Sequence, residues 1–262
     1  MDAATFTKSS RALILASLLT AGSTVIAAAQ EAPIVLSGAP TGALSGNYAA
    51  PPSGMVTLGG HTFDLTSGNF LALGNGQSVS FSGSYPGFNG AYLLLNSAQT
   101  LWMWLDQQPV GDVVLTFSDG TTQTEVLTVG VNLGEWRTGA GSMVVVNPDP
   151  NAHVWTGTAT DGTTAVIDML SIPASTTSKG KTLTTITVRN TNTLPPSGFA
   201  LLLTAVTIDF TPPTPKPAVT CPEAGNASPN WALKDKHLVH CAEQAQRIAD
   251  RQASSELPSS TP

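Results

Sequence analysis

Between Met55 and Phe210, short apolar or alternating runs recur every 8 to 15 residues, separated by Gly, Pro, Asn, Asp and Ser. Nothing in this stretch sustains the i, i+3, i+4, i+7 spacing of an amphipathic helix. Helices interleaved with strands are therefore excluded, and with them a parallel α/β core. The spacing predicts strands over 55–58, 62–65, 77–82, 91–96, 101–105, 112–118, 121–131, 142–146, 165–170, 182–190 and 199–210. Runs of this length and interval make an antiparallel sandwich or barrel. The expectation is an all-β, jelly-roll type β-sandwich.

The clearest local signal lies over 112–131. Val113, Leu115 and Phe117 alternate with polar or outward positions, Asp119-Gly120 follows, and an alternating run returns. Asp-Gly suits a tight primed turn, so a hairpin is expected. Leu127, Val129 and Val131 are expected on one face of the returning strand.

Charge narrows the partners. Residues 31–211 carry eleven Asp and Glu against four Lys and Arg (Arg137, Lys179, Lys181, Arg189). Such a surface repels phosphate backbones and anionic membranes. No nucleic acid is expected as a partner, and neutral ligands such as glycans remain open.

The ends differ from the middle. Lys8 and Arg11 precede an apolar stretch over 12–26, and Ala27-Ala28-Ala29 follows. A basic start, a short apolar region and small residues make a secretory signal peptide, expected over 1–29. The stretch is shorter than the roughly 20 residues a spanning helix needs, so no membrane span is expected. The chain is then secreted, to the cell exterior or a periplasm. Residues 30–54 read as an N-terminal arm or linker and 55–211 as the sandwich domain. The Pro/Thr-rich segment 212–220 reads as a semi-rigid linker.

Cys221 and Cys241 lie beyond that linker and are the chain's two cysteines. In an exported chain they most simply form one disulfide, closing the tail 221–262. Leu238, Cys241, Ala242, Ala245, Ile248 and Ala249 follow a helical stripe over about 235–252. The stripe either packs on Trp231 and the disulfide or docks a protein partner. His237 and His240 add possible zinc ligands, but adjacent His240 and Cys241 do not converge easily on one ion, so no metal is expected.

Catalytic motifs are absent. There is no G-x-S-x-G elbow, no H-E-x-x-H and no Walker A loop. Carboxylates at Asp64, Asp106, Asp112, Glu135, Asp149, Asp168 and Asp209 could form an acid–base pair, but sequence does not pair them. His61 and His153 sit near expected turns. No catalytic residue is assigned, and a hydrolase with an unrecognised site remains the alternative enzyme reading.

Aromatics give the better lead. In Leu101-Trp102-Met103-Trp104-Leu105, strand alternation places both indoles on one face. If the aliphatic face is core, Trp102 and Trp104 stand side by side in solvent. They could then stack on a sugar ring, with Asp106, Gln107 or Gln108 bonding its hydroxyls. The alternative buries both under a sheet face or the 106–110 loop. Trp136 with Arg137, and Trp155, carry the same choice.

The run Pro109-Val110-Gly111-Asp112-Val113-Val114-Leu115-Thr116-Phe117-Ser118-Asp119-Gly120-Thr121-Thr122-Gln123, followed by Glu135-Trp136, resembles a segment of exported bacterial galactose-binding-like β-sandwich domains. Tyr92–Ala98 looks like their preceding strand. Ile167-Asp168-Met169, 181–188 and 201–210 look like their late strands. Asn96 stands where those domains commonly carry a histidine. The resemblance spans about 55–211 and implies a jelly-roll fold of the kind attached to secreted hydrolases, with carbohydrate binding as its usual assignment. Some related sandwiches carry a structural calcium, to which Asp64 or Asp209 could contribute. The function expected is a secreted, non-catalytic glycan-binding module, with Trp102, Trp104, Asp106, Trp136 and Arg137 as ligand residues. The alternative is an extracellular structural or protein-interaction domain.

Mass spectrometry of the exported protein should find a first residue near Gln30 or Glu31 and one Cys221–Cys241 disulfide. A retained Met1 start or two free thiols would contradict this reading.

Overall fold

The structure is a computed structural model that describes residues 28–36, 42–138 and 143–214, together with Glu243 and Arg247. All of the expected signal peptide but Ala28 and Ala29, and both cysteines with the expected disulfide, lie outside the described residues. Glu243 and Arg247, within the expected tail helix, are helical and exposed. The chain divides after Pro213 into two units.

Thirteen strands are described: β1 (Gln30–Ile34), β2 (Gly42–Ala43), β3 (Gly54–Leu58), β4 (His61–Leu65), β5 (Asn69–Gly74), β6 (Ser78–Tyr85), β7 (Phe88–Ala98), β8 (Pro109–Phe117), β9 (Thr122–Thr128), β10 (His153–Thr158), β11 (Thr164–Pro173), β12 (Leu183–Asn190) and β13 (Ala200–Phe210). The helical pieces among them are α1 (Leu44–Asn47), α2 (Trp102–Leu105) and a 3-10 turn over Pro150–Ala152. One sheet runs β10-β11-β7-β13-β5-β2, with β1 also on β13; a second runs β6-β12-β8-β9; β3 and β4 form a hairpin. All these pairings are antiparallel. The fold is all-β and consistent with a sandwich.

Its core lies between the sheets. Leu93, Leu95, Leu203 and Val206 of the large sheet pack with Phe81, Leu115, Ile186 and Val188 of the smaller one. A second cluster covers the other face of the large sheet, where Phe63, Leu65, Tyr48 and Leu44 meet Leu94, Ile167, Leu202 and Ala205. This second layer explains why β13 is apolar at nearly every position: a strand buried on both faces loses the polar alternation.

The 112–131 hairpin forms as β8 and β9, with a different turn. Gly120 N–H donates to the Phe117 carbonyl and Phe117 N–H to the Thr121 carbonyl, both at 2.9 Å, leaving a three-residue loop. Gly120 has φ +79° and Asp119 keeps an ordinary negative φ. That is the type I turn plus glycine bulge, not the tight primed turn. Asp119 makes the difference. Its Oδ1 accepts from the Thr121 N–H and hydroxyl, at 3.1 and 2.6 Å, which favours the longer loop. Val113, Leu115, Phe117, Leu127 and Val129 are buried, but Val131 lies past the end of β9 and is exposed.

Two further expectations change. The run 142–146 contributes a single bridge, Leu101 to Val144, among its described residues rather than a strand. The described residues within 30–54 are built into the sheets rather than trailing from them, since β1 pairs with β13 and Leu44 and Tyr48 are buried. Glu31 fastens β1 further: its Oε1 lies 2.7 Å from His61 Nδ1 and its Oε2 accepts the Thr62 N–H at 2.8 Å. The His61 ring stacks on Tyr92, with centroids 3.4 Å apart. Gly- and Ala-rich composition hid this, because β1 is held by backbone pairing and one carboxylate rather than by an apolar run.

Gly111 and Gly120 separate two roles of glycine. A Cβ on Gly111 would lie 2.2 Å from the Arg189 carbonyl oxygen, whereas one on Gly120 meets nothing within 4 Å. Gly120→Ala should cost about 1 kcal/mol through its left-handed backbone, and Gly111→Ala about 3 kcal/mol through overpacking. Urea unfolding of the two variants checks the order; equal losses would contradict it.

Candidate functional site

The Trp102 segment is a helical turn, not a strand. Leu105 N–H donates to the Leu101 carbonyl at 3.1 Å and Asp106 N–H to Trp102 at 3.3 Å. Five residues cannot separate the two periods: Leu101 and Leu105 fit one face of a strand and also the i, i+4 face of a helical turn. Gln99 and Gln107, both with positive φ, flank the turn. The indoles therefore do not share a flat strand face. Successive residues of a helical turn step about 100° apart, so Met103 forms the crest and Trp102 and Trp104 its two flanks. All three are about half exposed (54%, 48% and 49%), while Leu105 is buried in the core.

Neighbouring segments pin this ridge. Trp102 N–H donates to the Met143 carbonyl at 3.0 Å, Val145 N–H to Thr100 at 2.9 Å and Gln107 N–H to Val129 at 3.0 Å. Asp106, exposed, lies against Gly130, where a Cβ would sit 2.7 Å from its Oδ1. Gln107 Nε2 donates to the Gly130 carbonyl at 3.2 Å. Val131, Met143 and Val146, on the same supporting segments, are also exposed. An apolar ridge held this firmly would lose little conformational entropy on contact with a ligand.

Trp136 and Arg137 belong to a second cluster. Trp136 is half-buried, with Tyr48 edge-on at 5.3 Å, and Tyr48 is equally edge-on to Trp155. Arg137 lies over the Trp136 ring at 5.1 Å and pairs with Asp161 at 2.9 Å. The hydrogen bonds from Thr163, and after them the guanidinium, hold the Asp161 carboxyl down at about 2. These contacts use Trp136 and Arg137 to cover the second core cluster and close the β10–β11 end. Trp102, Trp104 and Asp106 thus share one turn, and Trp136 and Arg137 stand apart from it in role.

Beneath the ridge lies a buried polar knot that sequence did not assemble. His153 Nδ1 is 2.5 Å from Asp168 Oδ1, and the Asp168 N–H donates to Asn96 Oδ1 at 3.0 Å. Glu135 Oε2 accepts from the Thr100 N–H at 2.9 Å and hydroxyl at 3.0 Å. Asp168 Oδ2, Glu135 Oε1 and Asn96 Nδ2 are buried without a hydrogen-bond partner. Burial pushes both carboxyls above the ordinary range, against the opposing pull of His153 on Asp168 and of Thr100 on Glu135. Burial, then the nearby Asp168 and Glu135 charges, push the Tyr48 hydroxyl well up. A signal for the His153–Asp168 pair was present. Asp161-Gly162-Thr163-Thr164 repeats Asp119-Gly120-Thr121-Thr122, with the same turn bonds. Pairing back from that turn, across one bulge, places His153 opposite Asp168.

An Asp–His pair can position a general base. Among the described residues, no serine or threonine hydroxyl bonds to His153, and no three His, Cys, Asp or Glu side chains converge as metal ligands. Asp64 instead accepts from Thr66 within its own turn, and Asp209 from Asn89. No helix among the described residues is long and apolar enough to cross a membrane. No protein-family model matches the chain, and no curated protein matches it.

Glu135→Gln tests the knot. The raised Glu135 carboxyl stabilises the fold fully below its ordinary value of 4.5 and loses that contribution as pH rises through its folded value. The neutral amide keeps an acceptor for Thr100 without that loss. The variant's melting temperature should therefore exceed the parent's at neutral pH, and the gap should close below pH 4.5. A gap independent of pH would contradict the assignment.

Proposed function

We propose that the chain is a secreted, non-catalytic binding module of galactose-binding-like, jelly-roll type, and that it binds neutral glycans through the Trp102–Met103–Trp104 ridge. The observation that carries this reading is the half-exposure of both indoles on a turn whose backbone is pinned on two sides. A tryptophan offers a flat apolar face that suits the C–H face of a sugar. Asp106, Gln107 and Gln108, all exposed, supply acceptors and donors beside it. The net charge of −6 disfavours polyanionic ligands and leaves neutral ones. Export is supported by the basic, apolar and small-residue order of the first 29 residues.

Trp136 and Arg137 enter this function as supports rather than ligand residues. A protein-interaction reading draws on one further observation, the exposed Val131, Met143 and Val146 on segments that flank the ridge. Those side chains give an apolar surface broader than one sugar ring needs.

Affinity electrophoresis on gels containing neutral plant or bacterial polysaccharides tests the proposal. Retardation is expected, and Trp102→Ala with Trp104→Ala should abolish it, each indole contributing about 2 kcal/mol or roughly thirtyfold in Kd. Retardation unchanged in the double variant, or absent from every polysaccharide, overturns the reading.

A further inference from the structure

A cavity of about 410 Å³ opens between the edge of the smaller sheet and the outer edge of β11. It is continuous in chain with the segments that hold the ridge. The turn that accepts from Gln107 at Val129 and Gly130 runs on into Val131 and Asn132, which line the cavity. The segment that receives Trp102 N–H at Met143 runs on to Asn147, which lines it too.

Its polar wall is amides, one hydroxyl and two carboxylates: Asn132, Asn147, Asn151, Ser171, Glu125 and Asp149. No lysine or arginine is among the described lining residues. The wall is set before anything enters. Asn132 Nδ2 donates to Glu125 Oε1 at 3.0 Å and Asn151 Nδ2 to Asp149 Oδ1 at 3.0 Å. The Asp149 N–H donates to Asn147 Oδ1 at 3.1 Å, and Asn147 is itself buried. One oxygen of each carboxylate is thereby fixed, and the other is left to receive a hydroxyl. Leu170 and Val131 supply apolar contact. Fixed amides and carboxylates beside apolar surface suit a ring with several hydroxyls on one edge and C–H groups on its face. The same two carboxylates, with no cation to offset them, repel a uronate, sulfate or phosphate.

We infer that this cavity is a second subsite, which takes a neutral sugar residue of a chain lying over the Trp102–Trp104 ridge and rejects acidic sugars. The inference rests on the glycan-binding reading and adds the selecting residues and the ligand class. Asn151 and Ser171 bond hydroxyls at the cavity mouth; Glu125 and Asp149 set the charge discrimination.

The test uses the full chain and titration calorimetry with β-1,4-linked glucose, xylose and mannose hexasaccharides and with a galacturonate hexasaccharide. The parent should bind at least one neutral hexasaccharide and not the galacturonate. Ser171→Tyr, which fills the cavity, and Asn151→Ala should each weaken neutral binding about tenfold, with melting curves establishing that both variants fold. Glu125→Gln with Asp149→Asn should admit the galacturonate. If the ridge variant Trp102→Ala/Trp104→Ala loses binding while Ser171→Tyr and Asn151→Ala do not, the cavity inference falls and the ridge reading stands. If the parent binds galacturonate as well as neutral chains, the charge selection falls. Binding of none of the four by the parent overturns both.

Discussion

Burial of β13 on both faces is the constraint on which the fold depends. Leu201, Leu203, Val206 and Ile208 pack into the inter-sheet core, while Leu202 and Ala205 pack under the β3–β4 hairpin and Tyr48. The strand pairs with β7 on one side and with β5 and β1 on the other. An apolar strand of this length is stable only if something covers its second face, since exposed it would template aggregation. The N-terminal residues supply that cover and part of the edge. Thr207 adds a polar tie across the layer, its hydroxyl donating to the Thr62 carbonyl at 2.5 Å.

The same large sheet ends in polar chemistry. Beyond Leu94 and Leu95, β7 reaches Asn96 and Ser97, and the chain leaves the core through Thr100. The segments that follow turn much of their apolar surface to solvent, so polar side chains help to fasten them. The Glu135 carboxylate holds Thr100, the Asp168 carboxylate holds His153, and the Asp168 N–H donates to Asn96 Oδ1. Buried carboxylates cost free energy unless well bonded, and their specific geometry is the return. Here that geometry fixes the base on which the Trp102–Leu105 turn stands, and so links the core to the exposed ridge.

Much of the fold was legible in sequence because most strands carry their own apolar run and turn. β8, β9, β12 and β13 fall within a few residues of their expected bounds. The misreadings differ in cause. β1 and β2 carry weak or Gly-rich patterns and are defined by partners farther along the chain, whereas β5 carries an apolar run and β10 an adjacent turn that were passed over. Leu101–Leu105 was too short to separate a strand from a helical turn. The indoles' exposure depended on that choice, and so could not be read from spacing. The His153–Asp168 pair follows from a local hairpin, but the Asn96–Asp168 and Thr100–Glu135 contacts join residues 72 and 35 positions apart, and no local pattern announces them. The cavity is likewise assembled from three separate segments.

The most direct measurement of the binding claim is a tryptophan fluorescence titration of the full chain with neutral hexasaccharides. Of the chain's five tryptophans, Trp102 and Trp104 are the exposed ones among those described, while Trp136 and Trp155 are half-buried. A saturable change in emission, lost in Trp102→Ala/Trp104→Ala, is the predicted result. Emission that stays constant to saturating sugar, in a folded protein, would contradict the account.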